Sequence, residues 1–136
     1  MTLKDDALVL CGWSCPYCGY PTELADSKEI YGTSHGWMYI CRRCQAWVGC
    51  HKGTTRSLGR VADKELRRLK HLAHEAFDPL WKSGLLPRRA AYEILSIAFD
   101  LPKEQTHIGM FDPDMCRKVI SLSKVILKLL QNGQTN

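Results

Sequence analysis

The sequence predicts an α+β protein: an N-terminal zinc ribbon of short antiparallel strands packed on a C-terminal set of about three helices. Three observations predict it. Two Cys-x2-Cys pairs fall early in the chain, the segments around them read as short strands and turns, and after about residue 60 the apolar residues recur with a helical period.

A chain of 136 residues fits one compact domain, or a small module docked on a slightly larger one. Residues 1–52 are assigned to the ribbon and residues 53–136 to the helical part. The two are expected to fold as one unit, because a ribbon with few aliphatic residues gains from covering one face. Apolar residues make up 45% and charged residues 24%, which excludes wholesale disorder. Seven cysteines would suggest disulfides in a short secreted protein, but residues 1–6 lack a signal-peptide layout. No apolar run is long enough to span a bilayer. The expected setting is therefore a reducing cytoplasm with no membrane partner, where clustered cysteines more often mean metal than disulfide.

Within the ribbon, Ala7–Leu10 reads as a strand-like lead-in, Lys28–Tyr31 as one strand and Trp37–Ile40 as another. Gly32-Thr33-Ser34-His35-Gly36 between the last two has turn chemistry. Seven of the twelve aromatic residues lie here (Trp13, Tyr17, Tyr20, Tyr31, Trp37, Tyr39 and Trp47), and they are expected to share the stabilising role with a metal.

The metal ligands are Cys15, Cys18, Cys41 and Cys44. Cys15-Pro16-Tyr17-Cys18-Gly19 and Cys41-Arg42-Arg43-Cys44 each place two residues between cysteines, a spacing that lets a tight turn aim both thiolates at one ion. Glycine after the second cysteine permits the positive φ that such a turn needs. Four thiolates leave no open coordination position, so one structural Zn2+ is expected, not an ion that activates water. Of the remaining cysteines, Cys11 is a lesser alternative ligand, Cys50 precedes a positioned histidine, and Cys116 reads as a small buried apolar residue.

In the helical part, Asp63 is an N-cap, and Leu66, Leu69, Ala73, Phe77 and Leu80 recur at threes and fours. Asp78-Pro79 breaks or restarts this helix. A second helix runs from about Arg88 to Phe99, between Pro87 and Pro102. A third begins at Asp112-Pro113, an N-cap followed by proline, and ends near Asn132-Gly133. Its apolar stripe is Met115, Val119, Leu122, Ile126 and Leu129, and Gln131–Asn136 reads as a tail.

The formal charge of +5 is unevenly spread. Residues 52–70 hold seven basic residues against Asp63 and Glu65, whereas residues 1–50 are slightly acidic. Lys52, Arg56, Arg60, Lys64, Arg67, Arg68 and His71 form the candidate binding set, suited to nucleic acid or to an acidic protein. Lys64, Arg67, His71, His74 and Asp78 share one helical face, and a solvated surface face is an equal reading of that pattern. His51, His74, Asp78 and His107 are candidate catalytic residues, since histidine titrates near neutrality and a carboxylate can orient it. His71, His74 and Asp78 could alternatively hold a second metal. No nucleophile, paired-carboxylate site or phosphate loop is evident.

Several motifs in order resemble a family of small zinc-finger-containing proteins of unassigned function, seen mainly in bacteriophages, prophages and some bacteria. They run from the first zinc knuckle through Ile30-Tyr31-Gly32, Cys41-x2-Cys44-x-Ala46-x-Val48-Gly49-x-His51 and Leu58-Gly59-Arg60-x-Ala62-Asp63. They continue through Leu66-Arg67, Ala73-His74-x2-Phe77-Asp78-Pro79-Leu80-Trp81, Ala91-Tyr92 and His107-Ile108-Gly109-Met110-Phe111-Asp112. The resemblance implies a zinc ribbon fused to helices and no particular activity. The positions matching its polar motif residues are His51, Arg60, Asp63, Arg67, His74, Asp78 and His107. The leading functional expectation is a zinc-stabilised module that contacts nucleic acid through residues 52–70. A phage-type accessory protein that binds or inhibits a host protein is one alternative, and a small His/Asp-dependent nuclease or hydrolase is another.

Overall fold

The computed structural model of the chain describes residues 3–134, and the architecture is α+β. Met1 and Thr2 lie outside the described residues, as do Thr135 and Asn136, the last two residues of the expected tail. The elements in order are α1 (Leu3–Leu10), β1 (Glu23–Asp26), α2 (Lys28–Tyr31), β2 (Trp37–Cys41), β3 (Ala46–Gly49), α3 (Lys64–Phe77), α4 (Pro79–Lys82), α5 (Arg88–Phe99) and α6 (Pro113–Gln134). Two 3-10 turns, Lys103–Gln105 and Ile108–Met110, precede α6. The chain forms two compact units, one up to Arg67 and the other from Arg68 onward, with the boundary inside α3.

The first unit is built on an antiparallel meander of order β1-β2-β3. β2 is its centre, with Asp26 opposite Trp37 on one side and Cys41 opposite Ala46 on the other. Alternation gives the sheet two covered faces. Met38 and Ile40 are buried with Ala25, and Ile30 of α2 and Trp47 pack against them. The opposite face buries Cys41, Ala46 and Val48 with Cys15 and Val61. Beyond β3 the chain turns back alongside it, and Trp47 and Ala62 exchange both backbone hydrogen bonds, at 3.1 and 2.9 Å. The free edge of β3 is thereby occupied.

Two segments expected as strands are helical. Ala7–Leu10 is the second half of α1, whose end is set by Gly12 at φ 81°. A Cβ there would lie 2.8 Å from the Gly59 carbonyl oxygen, so only glycine fits. Lys28–Tyr31 is the single turn α2, because the Asp26 carboxylate accepts from the Lys28 N–H at 2.9 Å and Gly32 closes the turn at φ 76°. The hairpin partner of β2 is therefore β3. The aromatics meet the expectation in part: Trp13, Tyr17, Tyr20, Tyr31 and Trp37 are exposed, whereas Tyr39 and Trp47 pack against the two buried clusters of aliphatic side chains and sulfur.

The helices follow their caps. The Asp63 carboxylate accepts from the Leu66 N–H at 2.9 Å, and that of Asp112 from the Met115 N–H at 2.8 Å. α5 starts after Pro87 and ends on Asp100 in the left-handed region, φ 52°, before Pro102. Pro79 ends α3 and opens the one-turn α4, which lies against α5 and α6. In this second unit Phe77, Leu80 and Leu95 are fully buried, and the Phe77 ring meets Tyr92 edge-on at 4.8 Å. α6 continues through Gln134, so the first residues of the expected tail are helical. Its buried line passes through Cys116, Val119 and Ser123, while Leu129 at the end of the expected stripe is exposed. A hydrophobicity pattern passes over a serine and so misplaces that line.

Phe77 fills the centre of this packing with no polar atom to re-solvate. Phe77→Ala is expected to cost about 3–5 kcal/mol, read as a lowered midpoint in urea by far-UV circular dichroism.

Candidate metal centre

Each ligand pair sits on a hairpin end. In the first, the Cys15 N–H donates to the Tyr20 carbonyl at 2.9 Å, the Gly19 N–H to the Cys15 carbonyl at 2.8 Å, and Ser14 bridges Pro21. Gly19 takes φ 79°, the positive value its position requires. The second pair, Cys41 and Cys44, brackets the turn that joins β2 to β3. There the position equivalent to Gly19 is Gln45, held at φ 51° without glycine's freedom. The metal-binding turn and the hairpin turn are thus the same residues.

The sulfurs of Cys15, Cys18, Cys41 and Cys44 all lie within 4.8 Å of one another, with Cys18 and Cys41 at 3.6 Å. Zinc–thiolate bonds of about 2.3 Å arranged tetrahedrally put sulfurs roughly 3.8 Å apart, so the cluster fits one zinc ion held by four cysteines. Among the described residues no other group of three or more metal donors converges. Electrostatics argue the same way. The Tyr20 backbone N–H and the neighbouring thiols lower the Cys18 thiol to about 7. Burial first, and then the other three sulfurs, push Cys44 up to about 12. Burial also raises Cys15, against N–H groups of Tyr17 and Cys18 that favour its thiolate. A cluster in which one thiolate holds back the next needs a cation to ionise fully.

Further contacts brace the site. The Tyr17 hydroxyl, between the first two ligands, accepts from the Asp63 N–H at 3.1 Å; the ring stays exposed, and partial desolvation raises its pKa. Val61 closes the sheet face that carries Cys15 and Cys41. On the other face the Arg67 guanidinium lies 3.7 Å from the Trp47 ring centre and donates to the Ala62 carbonyl at 2.7 Å. Trp47 in turn donates its Nε1–H to the Tyr31 hydroxyl at 3.1 Å. The Cys11 thiol donates to the Leu8 carbonyl at 3.3 Å and stands outside the cluster; Cys50 is half-buried, which raises its thiol, and Cys116 is buried.

The basic residues fall into different settings. Lys52 and Arg56 are exposed on a loop whose backbone is fixed: the His51 N–H donates to the Arg56 carbonyl at 2.8 Å, and the Tyr39 hydroxyl to the Thr55 carbonyl at 2.7 Å. Lys64 and Arg68 are exposed and Arg60 is half-buried. His71 meets Glu75 at 2.9 Å. His74 and Asp78 are brought together at 3.3 Å, with Lys82 3.8 Å from the same carboxylate. His51 belongs to the first unit, and His74, Asp78 and His107 to the second. His107 does not join the His74–Asp78 pair but lines a cavity of about 550 Å³. Arg88, Tyr92 and Lys103 also line it, and sequence reasoning missed them. The recognisable signal was an Arg-Arg pair at a helix start with an aromatic residue one turn on.

Three outcomes follow. Metal analysis of the purified protein should give one zinc per chain, halved or worse in Cys44→Ser and unchanged in Cys50→Ser. Because Cys44 is protonated at neutral pH without metal, zinc binding should release protons and tighten as pH rises. Calorimetry in buffers of different ionisation enthalpy measures that release. Gln45→Gly, relieving the left-handed conformation, should stabilise the zinc-loaded ribbon by about 1 kcal/mol; guanidinium unfolding reads it.

No curated protein and no solved structure matches this chain. A family described as a zinc-finger-containing domain matches residues 12–126, a span that takes in both cysteine pairs and all of α3, α4 and α5. With its four-sulfur cluster intact inside that span, the chain belongs to this family of zinc-finger-containing domains.

Proposed function

We propose that this zinc-stabilised module binds single-stranded nucleic acid through the basic segment 52–70. One observation carries the reading: Lys52 and Arg56 stand exposed on a braced loop, and no acidic residue occurs between His51 and Ala62. A cationic loop of fixed shape attracts phosphates without first spending chain entropy on ordering itself. Lys64 extends the same charge into the first turn of α3. Exposed rings support stacking on bases: Trp13 and Tyr20 are each 57% exposed, and the Arg43 guanidinium lies 4.9 Å from the Tyr20 ring centre.

Arg67 is assigned a structural part, since its guanidinium is committed to Trp47 and Ala62. Reversing its charge would damage the ribbon and give no clean measure of binding. An acidic protein would be drawn to the same loop. Capture from a lysate before and after nuclease distinguishes the two partners: loss of captured material with the nucleic acid supports the proposal, and persistence opposes it.

The direct test is fluorescence anisotropy with a labelled single-stranded 12-mer over a salt series. Affinity should fall with salt, and Lys52→Ala/Arg56→Ala should flatten the log–log slope by roughly 1–2. A slope near zero, or one the double variant leaves unchanged, rejects this reading.

A further inference from the structure

The second unit contains a cavity that the zinc site and the basic loop do not use. α5 contributes Arg88, Tyr92 and Ile97 to its lining, and the segment after Pro102 contributes Lys103 and His107. Its volume of about 550 Å³ lies in the range that encloses a small organic molecule. Ser96 and Thr106 also line it, but their hydroxyls donate at 2.7 Å to the carbonyls of Leu101 and Pro102. They hold the shape of the wall and are not spare donors for a ligand.

The charge of the lining is unbalanced. Arg89 is neutralised by Glu93 one turn along, at 3.4 Å. Arg88 and Lys103 make no ion pair among the described residues. Arg88 is nonetheless held in place, because its guanidinium lies 4.7 Å from the Tyr92 ring centre and 5.3 Å from that of Trp81. A cation positioned by two rings loses little freedom when an anion arrives. The remaining surface is carbon and ring. The Tyr92 and His107 rings lie 6.4 Å apart, tilted by 50°, and Ile97 is 81% exposed, an extreme value for an isoleucine. The combination suits a flat ring, whose face packs on carbon while its polar edge stays in water, carrying one anionic tail. Inorganic phosphate would leave the carbon wall wet, and a neutral aromatic would leave Arg88 and Lys103 without a counter-charge.

We infer that this cavity binds a nucleoside monophosphate, its base against Tyr92, Ile97 and His107 and its phosphate held by Arg88 and Lys103. The site is independent of the loop at Lys52 and Arg56 and does not rest on the strand-binding reading.

The experiment is calorimetric titration of the full zinc-loaded chain with the adenine, cytosine, guanine and uracil nucleoside monophosphates, adenosine and inorganic phosphate. At least one monophosphate should bind saturably with Kd below about 1 mM, and adenosine and phosphate at least about tenfold more weakly. Lys103→Glu, on an exposed turn, should weaken that binding about tenfold or more with an unchanged far-UV spectrum. Lys52→Ala/Arg56→Ala should leave it intact, which separates failure here from failure of strand binding by the loop. No saturable binding by any of the four overturns the inference, as does equal affinity for inorganic phosphate. Unchanged affinity in a folded Lys103→Glu variant removes the cavity as the site. A 5′-phosphorylated tetranucleotide that binds where free monophosphates do not would overturn the assignment to a free ligand.

Discussion

Four cysteine sulfurs within 4.8 Å of one another form an arrangement that a bare chain resists, since each ionised thiol makes the next harder to ionise. A divalent cation reverses the sign of that cost, and much of the first unit is arranged around the place where it does so. The turn joining β2 to β3 lies between Cys41 and Cys44, so the metal fixes the hairpin's register as well as its closure. The first knuckle reaches the start of α3 through the Tyr17 hydroxyl and the Asp63 N–H. Strands of four or five residues with small inward side chains hold little hydrophobic surface of their own. Metal affinity and folding in such a module are one equilibrium.

The other face of the sheet depends on a different device. Tyr31, Trp47 and Arg67 form a continuous stack of hydroxyl, indole and guanidinium, ending on the Ala62 carbonyl. That carbonyl belongs to the residue whose backbone pairs with Trp47. Arg67 therefore strengthens the edge pairing that keeps the returning chain against β3. A cation read in sequence as a ligand contact serves here to hold an aromatic ring of the sheet in place.

What could be read in the sequence was local chemistry with strict requirements. Cys-x2-Cys spacing names its own metal geometry, Asp63 and Asp112-Pro113 announce helix starts, and Pro87 and Pro102 bracket α5, whose observed span is the expected Arg88–Phe99. The short segments resisted because four residues hold too little pattern to distinguish strand from helical turn. Lys28–Tyr31 was flanked by the needed signals, an Asx turn at Asp26 and a left-handed glycine at Gly32, but its β-favouring Ile-Tyr weighed against them. β1 and β3 are too brief and mixed in composition to announce themselves. For the candidate site, all four ligands were legible while the cavity was not, because its walls come from α5 and a later turn that only folding brings together.

The distribution of tryptophans gives the two units separate optical signatures. Trp13, Trp37 and Trp47 belong to the ribbon, whereas Trp81 is the sole indole of the helical unit. Its N–H is buried with no hydrogen-bond partner among the described residues, and its ring is approached by Lys82 at 5.5 Å and Arg88 at 5.3 Å. An indole with two cations close to its ring has an emission sensitive to where those charges sit. Replacing the three ribbon tryptophans by phenylalanine leaves a natural fluorophore one side chain away from the cavity, so occupancy there can be followed by light without attaching a dye.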